Sequence, residues 1–294
     1  MRGVWVRIAL AVLALAVTTS AAAQTPVAAP LIALWPQGAP EIVDNTYIHN
    51  VHQPSLTVLR ADPAHANGIG IIVIPGGGHR MIVWVNEGMM PARALNRFGV
   101  TVFVLKYRLA RETGSTYDIT RDAAADARRA VRWVRAHAAD YGIDPHRIGL
   151  MGFSAGGKLV SMVADNPAPP PPSGADAIDR TDGRPDFQVL IYPGPLGIPA
   201  TAAAGAPPAF LAAGTLDTCC ATPTITLYQQ LRAAGVSAEL HLFADTDHGF
   251  NIGMHSERLG VAHWPDRLAD WLADGGWLHP GGGSKPVPSS TQAP

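Results

Sequence analysis

Cysteine is nearly absent from this 294-residue sequence, and its two cysteines, Cys219 and Cys220, are adjacent. Two neighbouring cysteines cannot build the disulfide framework that stabilises small secreted domains. Because a bridge between sequence neighbours is uncommon, we expect two buried thiols. The chain is long enough to bury a full core as one large domain.

The sequence also lacks an excess of charge, since its formal net charge is −1. No basic surface is therefore expected, and we predict no nucleic-acid partner. The phosphate-binding patterns G-x-G-x-x-G and G-K-[ST] are missing, and so are H-E-x-x-H and any Cys/His cluster. We predict neither a cofactor nor a catalytic metal; oligomeric state stays open.

A long hydrophobic run is missing as well. The apolar run at residues 8–17 is shorter than the roughly 20 residues of a membrane-spanning helix. Arg2 and Arg7 flank its start, and small residues lead to an Ala-x-Ala site at Ala23. This pattern predicts a signal peptide over residues 1–23 and a periplasmic or secreted protein without a stable membrane anchor.

Strand-like and helix-like segments alternate through the rest of the chain. Strands are predicted at 55–62, 68–76, 100–109, 147–154, 187–194, 208–214 and 237–244. Helices are predicted at 87–99, 118–142, 155–165, 224–235 and 261–276. The alternation predicts an α/β fold whose mostly parallel central sheet carries helices on both faces. We expect a single domain over 24–279 and a disordered tail over 280–294.

Two segments have a less specific interpretation. The proline-rich loop at 166–186 is a surface excursion or part of a wall over the site. Four arginines of the long predicted helix are expected to form a solvated face, namely Arg128, Arg129, Arg132 and Arg135.

The stretch "GFSAG", Gly152 to Gly156, matches the pattern G-x-S-x-G. An apolar strand precedes it and a helix follows, which is the context of a nucleophile elbow. Both glycines leave room for a sharp turn that exposes the hydroxyl of Ser154. The sequence therefore predicts Ser154 as a catalytic nucleophile.

A serine nucleophile needs a base, and the base needs a carboxylate that orients it. His248 follows the predicted strand at 237–244, whereas the other internal histidines considered lie within a strand, a helix or the turn after one. Asp217 follows the strand at 208–214 and is the favoured carboxylate, with Asp245 and Asp247 as rivals.

Three glycines end another strand, in "IIVIPGGGHR" at 71–80. Attack on an ester carbonyl creates an oxyanion that needs pre-aimed N–H donors. Gly77 and Gly78 allow an oxygen to approach the backbone, and Ala155, directly after the nucleophile, offers another N–H. We predict these three residues as the oxyanion hole.

Four further residues lie near this predicted site. His79 either lines the substrate pocket or faces solvent. Trp84 is a sugar-stacking candidate, although a place in the core is the favoured interpretation. Glu87 either complements a helix dipole or contacts substrate. We interpret Lys158 as peripheral.

Several blocks of the chain together resemble one known group. They include "LWPQGAPE", "PGGGHRMIVWVNEG", "DPHRIGLMGFSAGGKL", "RPDFQVLIYPG" and "DTDHGF". Their order from about Leu34 to Leu272 is similar to that of α/β-hydrolase esterases related to acetylxylan esterases, a hormone-sensitive-lipase-like group. The resemblance implies an α/β-hydrolase fold, a Ser154–Asp217–His248 triad and a serine esterase acting on short acyl groups, above all acetyl groups of plant cell-wall saccharides such as xylan.

The chain departs from this group at two positions. Members often carry an aromatic residue where this chain has His79, and histidine where it has Lys158. Both positions bear on the preference for the acyl and alcohol parts of the substrate. A general short-chain carboxylesterase and a serine peptidase of the same fold remain as alternatives. Glycosidic cleavage is not expected, because no carboxylate pair is recognisable.

Overall fold

The computed structural model describes residues 31–34, 47–49, 53–166, 169–170, 174–194, 205–254 and 256–278. The predicted signal peptide and the predicted C-terminal tail lie outside the described residues. Within the described part of the chain, no helix is both long enough and apolar enough to cross a bilayer.

Eight strands of the described residues form one sheet in the order β1-β2-β4-β3-β5-β6-β7-β8. Their bounds are Leu31–Ala33 (β1), Ser55–Leu59 (β2), Gly70–Ile74 (β3), Thr101–Lys106 (β4), Ile148–Phe153 (β5), Phe187–Ile191 (β6), Ala209–Gly214 (β7) and Ala238–Phe243 (β8). Strand β2 runs antiparallel to β1 and β4, and the other neighbouring pairs are parallel. The seven predicted strands are confirmed, while the sequence does not predict the short strand β1.

Helices cover both faces of this sheet, as predicted. They are α1 Met90–Asn96, α2 Ala124–Ala136, α3 Ala155–Ala164, α4 Ala221–Ala233, α5 Leu259–Ala262 and α6 Trp264–Asp274. Alternate side chains of a strand point to opposite faces. In β3, Ile72 and Ile74 pack in one core with α2, α3 and α4, whereas Ile71 and Val73 pack in a second core with α1 and α6.

The arginine-rich side of α2 is not a solvated face, contrary to the prediction. Arg128, Arg129 and Arg132 are all buried. The loop that follows α3 supplies partners for Arg129 and Arg132, because its residues at 174–186 pack along α2. Arg128 instead donates to the carbonyl of Met162 in α3 at 3.5 Å. Arg129 pairs with Asp176 at 2.6 Å and with Asp179 at 2.9 Å.

The same loop accepts hydrogen bonds from two further guanidinium groups. Arg132 donates to the carbonyl of Thr181 at 3.1 Å, and Arg135 donates to that of Arg184 at 2.6 Å. A buried guanidinium needs such partners, because an unpaired buried charge is costly. The described residues of this loop therefore help to hold the loop against α2.

Parallel strands bring their carboxyl ends to one edge of the sheet, where ligands bind in folds of this kind. Ser154 directly follows β5 at this edge. Asp217 lies shortly after β7, and His248 lies shortly after β8. Residues 76–78, here called the glycine loop, follow β3, which lies next to β5 in the sheet.

Candidate active site

The turn between β5 and α3 presents Ser154 in a conformation unusual for a residue with a side chain. Its φ is 49° and its ψ is −115°. A Cβ on Gly152 would lie 2.4 Å from the carbonyl oxygen of Gly156, and one on Gly156 would lie 2.0 Å from that of Ile74. Both glycines of the G-x-S-x-G pattern are therefore required by space, as the sequence predicts. Positive φ at a serine is the kind of strain found at functional sites.

Three polar side chains from three loops form one hydrogen-bonded chain. The Oγ of Ser154 lies 3.0 Å from Nε2 of His248. The other ring nitrogen, Nδ1, lies 2.7 Å from Oδ2 of Asp217. The structure therefore brings together the predicted nucleophile, base and carboxylate in the arrangement that activates a serine hydroxyl.

Asp217 is distinguished from its two rivals by where its carboxylate lies. It is buried, and its second oxygen accepts the N–H groups of Cys219 at 3.2 Å and Cys220 at 3.0 Å. Asp245 faces Arg258 at 3.4 Å on the surface. Asp247 accepts only the backbone N–H of the histidine beside it, at 2.7 Å. The carboxylate that meets the His248 ring is thus that of Asp217.

The expectation of two buried thiols is wrong, because a disulfide joins Cys219 to Cys220. Only Cys220 is buried, while Cys219 lies on the surface. The bridge spans the two residues whose N–H groups hold Asp217. The sulfurs lie close to Asp217 and His248. As disulfide sulfurs, however, they are not the thiolates that bind zinc.

The glycine loop offers N–H groups that no described residue uses. Gly77 and Gly78 have φ values of 121° and 65°, in the region that favours glycine. A Cβ on Gly77 would lie 2.1 Å from the carbonyl oxygen of Met81. The carbonyl of Gly77 accepts bonds within this turn, whereas the N–H groups of Gly77 and Gly78 donate to no described residue. Ala155 starts α3, where the first N–H groups lack a helical partner.

This loop lies directly against the nucleophile. A Cβ on Gly76 would lie 2.9 Å from the Cβ of Ser154. The glycine loop and the start of α3 therefore both lie next to Ser154. Their N–H groups can stabilise negative charge that develops on a substrate oxygen.

Glu87 supports the glycine loop from behind and does not reach a substrate from this position. The residue is 5% exposed. One oxygen accepts the N–H of Gly76 at 2.7 Å, and the other accepts the hydroxyl of Tyr192 at 3.0 Å. Burial raises the pKa of Glu87 above its usual range, which these hydrogen bonds partly offset. The suggested substrate contact is replaced by a structural role.

Tyr192 is a part of the site that sequence reasoning missed. Its hydroxyl also accepts the N–H of Asn251 at 3.2 Å, and its ring packs edge-on against the His248 ring with centroids 4.7 Å apart. Tyr192 thereby links Glu87 to the loop that carries the histidine. A polar hydroxyl at the end of the buried strand β6 is the available signal in the sequence.

His79 does not face solvent. It is 2% exposed, and its ring packs edge-on against Tyr107 with centroids 5.8 Å apart. Neither ring nitrogen has a hydrogen-bond partner among the described residues. Burial, together with the charges of Lys158 and Arg111, lowers the pKa of His79 to about 4. The imidazole is therefore neutral at pH 7.

Trp84 is half-buried and packs against both hydrophobic cores. The Nζ of Lys106 lies 5.2 Å from the centre of its ring. This position agrees with the favoured interpretation of Trp84 as a core residue. Sugar stacking by Trp84 has no support in these contacts.

Known proteins share the fold and parts of the sequence. The BD-FAE family model matches residues 61–168. An acetylxylan esterase of Xylanibacter ruminicola is 27% identical over 65% of this chain and 43% of that protein. An endo-1,4-beta-xylanase B of Butyrivibrio fibrisolvens is 34% identical over 42% of this chain and 19% of that protein.

A solved structure agrees over a larger share of the molecule. The acetyl ester-xyloside bifunctional hydrolase from Caldicellulosiruptor lactoaceticus is 27% identical, with a TM-score of 0.71, over 85% of this chain and 97% of that chain. The chain has an α/β-hydrolase fold like that of this structure. The resemblance to α/β-hydrolase esterases related to acetylxylan esterases is thus confirmed. This α/β-hydrolase spans less than half the length of the two curated relatives that it matches.

Proposed function

We propose that this α/β-hydrolase is an exported serine carboxylic-ester hydrolase. One observation carries the proposal, namely the hydrogen-bonded chain from the Ser154 hydroxyl through His248 to the buried carboxylate of Asp217. Export rests on the signal-peptide pattern of residues 1–23 alone. The relatives described as acetylxylan esterase and acetyl ester-xyloside hydrolase support an ester as the substrate.

The reaction begins with attack by Oγ of Ser154 on the ester carbonyl carbon, while Nε2 of His248 takes the hydroxyl proton. The carbonyl oxygen becomes an oxyanion that accepts the N–H groups of Gly77, Gly78 and Ala155. The bond to the alcohol then breaks, and His248 passes its proton to the departing oxygen. An acyl-enzyme remains on the serine.

Water repeats these steps on the acyl-enzyme. His248 takes a proton from the attacking water, the tetrahedral oxyanion forms again, and the serine oxygen leaves with the proton from Nε2. Throughout both halves Asp217 stays ionised, fixes the tautomer of the ring and stabilises its positive form. The balance is one ester and one water converted to one acid and one alcohol.

We propose short acyl groups as the substrate class, above all acetyl groups on plant cell-wall saccharides. The experiment measures acetate release from acetylated xylo-oligosaccharides beside a series of phenyl esters of rising acyl length. Acetate release that exceeds the Ser154→Ala background, with a sharp fall beyond short acyl chains, supports the proposal. Turnover of phenyl esters alone would keep the mechanism and favour a general carboxylesterase. Faster cleavage of peptide anilides would favour a peptidase.

A further inference from the structure

Three cationic residues have backbone or side-chain atoms close to the glycine loop and the residue that follows it. Lys158 lies one helical turn after the nucleophile on α3, and its N–H donates to the carbonyl of that serine at 3.1 Å. Arg111 donates its N–H to the carbonyl of His79 at 2.8 Å. The guanidinium of Arg80 lies 3.9 Å from where a Cβ of Gly78 would be. The backbone of Lys158, the backbone of Arg111 and the guanidinium of Arg80 therefore lie close to the glycine loop and the start of α3.

These three cations lack the ion pairs that nearby arginines form. Arg108 pairs with Asp122 at 3.2 Å and with Asp126 at 2.6 Å. Arg121 pairs with Asp122 at 2.6 Å. The side chains of the three cations beside the glycine loop, by contrast, form no salt bridge to any described carboxylate.

Two acidic residues lie near these cations, and both have other partners. The charge of Asp118 acts on Lys158, but its carboxylate caps a helix turn by accepting the N–H groups of Thr120 and Arg121, each at 2.8 Å. Glu112 faces His49 at 3.6 Å. The positive charge beside the glycine loop is thus not matched by a paired carboxylate.

His79 keeps the centre of this region uncharged. Burial and the positive charges of Lys158 and Arg111 lower the pKa of its imidazole. The ring is therefore neutral at pH 7 and adds no positive charge. Partial burial, and after it the charge of Arg111, also lower the pKa of Lys158. These groups therefore interact electrostatically around one small region beside the nucleophile.

We propose that Arg80, Arg111 and Lys158 form a subsite for an anionic group of the substrate, so that this hydrolase favours esters carrying a carboxylate. The inference rests on the proposed function and deepens it. Unpaired cations beside a reactive centre attract anions and hold them in register. A uronic acid on the alcohol side and a half-ester of a dicarboxylic acid on the acyl side share the required chemistry.

The test uses two isosteric pairs of esters and reads only ratios of kcat/KM within one enzyme. The alcohol-side pair is meta-carboxyphenyl acetate and meta-carbamoylphenyl acetate. The acyl-side pair is para-nitrophenyl hydrogen glutarate and para-nitrophenyl glutaramate. A ratio of anionic to neutral ester cancels any general loss of activity in a variant. The pair that responds identifies the side on which the carboxylate is bound.

We expect the ratio for one pair to fall about fivefold in Lys158→Gln and in Arg111→Gln, which is the effect of about 1 kcal/mol for an exposed ion pair. Added salt should lower the wild-type ratio as well. The matched control is Arg97→Gln, because Arg97 is an exposed arginine between the end of α1 and the start of β4, at the edge of the sheet opposite the carboxyl ends of the parallel strands. Its ratio should equal that of the wild type.

The outcomes distinguish a failure of the anionic subsite from a failure of the proposed function. Equal ratios in the wild type and in both charge-removing variants, with neutral esters still hydrolysed, would overturn the subsite and leave the proposed function intact. Failure of the wild type to hydrolyse any of the four esters would overturn the proposed function and the subsite together.

Discussion

The Oδ2 of Asp217 lies 2.7 Å from Nδ1 of His248, and 31 residues separate the two along the chain. Two N–H groups hold the other oxygen of the same carboxylate. The carboxylate is therefore fixed before any substrate binds, and it fixes in turn the ring that faces Ser154. Pre-organisation of this kind removes a cost from the reaction itself.

We expect Asp217→Asn to lower kcat by about 10⁴-fold, because an amide favours the wrong tautomer of the histidine. Phenyl acetate hydrolysis measures the effect. Asp247→Asn is the matched control, since Asp247 contacts only the backbone N–H of His248. A larger loss of activity in Asp247→Asn than in Asp217→Asn would show that Asp247, and not Asp217, orients His248.

His79 should make the protein sensitive to acid. Its pKa is about 4 in the folded state, against 6.5 for an ordinary histidine. The unfolded chain therefore takes up the proton first as the pH falls. The contribution of the neutral ring to the free energy of unfolding is fully present above pH 6.5. It decreases by about 3 kcal/mol as the pH falls from 6.5 toward 4.

The variant His79→Phe removes this titration. Urea unfolding at pH 7 and pH 4 should show a smaller loss of unfolding free energy in the variant than in the wild type, by about 3 kcal/mol. Each protein serves as its own reference across pH, so other acid-sensitive groups cancel. Parallel losses in the two proteins would mean that the ring is not buried in its neutral form.

The turn around the nucleophile should not tolerate a side chain at Gly156. Its Cβ would lie 2.0 Å from the carbonyl oxygen of Ile74, and backbone cannot yield cheaply at that distance. We expect Gly156→Ala to lower the unfolding free energy by about 3 kcal/mol or more. At Gly260 a Cβ would meet nothing closer than 3.6 Å. Gly260→Ala should therefore retain wild-type stability, and equal loss in both variants would contradict this account of the turn.

The disulfide between Cys219 and Cys220 should protect both sulfurs from alkylation. Iodoacetamide added to the unfolded, unreduced protein should label neither residue, whereas prior treatment with a dithiol reductant should allow labelling of both. Peptide masses measure the result. Labelling without reductant would restore the original expectation of two thiols.

The sequence predicts the site wherever the needed residue follows a strand of the parallel sheet. Ser154, Asp217 and His248 each follow such a strand, and the fold brings their loops to one edge. The glycine loop is predictable for the same reason. Local signals and one rule of topology are sufficient for these residues.

The sequence does not predict contacts whose two halves lie in unrelated segments. Glu87 and Tyr192 are 105 residues apart, and neither carries a motif that points to the other. A row of arginines on a helix predicts a solvated face. In this structure, however, carboxylates from a loop distant in sequence pair with Arg129 of α2. Side-chain pairing across such distances depends on how loops pack, which periodicity does not report.

The most direct test of the central claim is covalent labelling with an organophosphonate, followed by trypsin digestion and mass analysis. The peptide 148–158 contains Ser154 as its only hydroxyl-bearing residue, so a mass increase there locates the nucleophile without further fragmentation. The account predicts one adduct on this peptide, loss of esterase activity in step with labelling, and no adduct in Ser154→Ala. An adduct on another peptide, or esterase activity retained by Ser154→Ala, would contradict it.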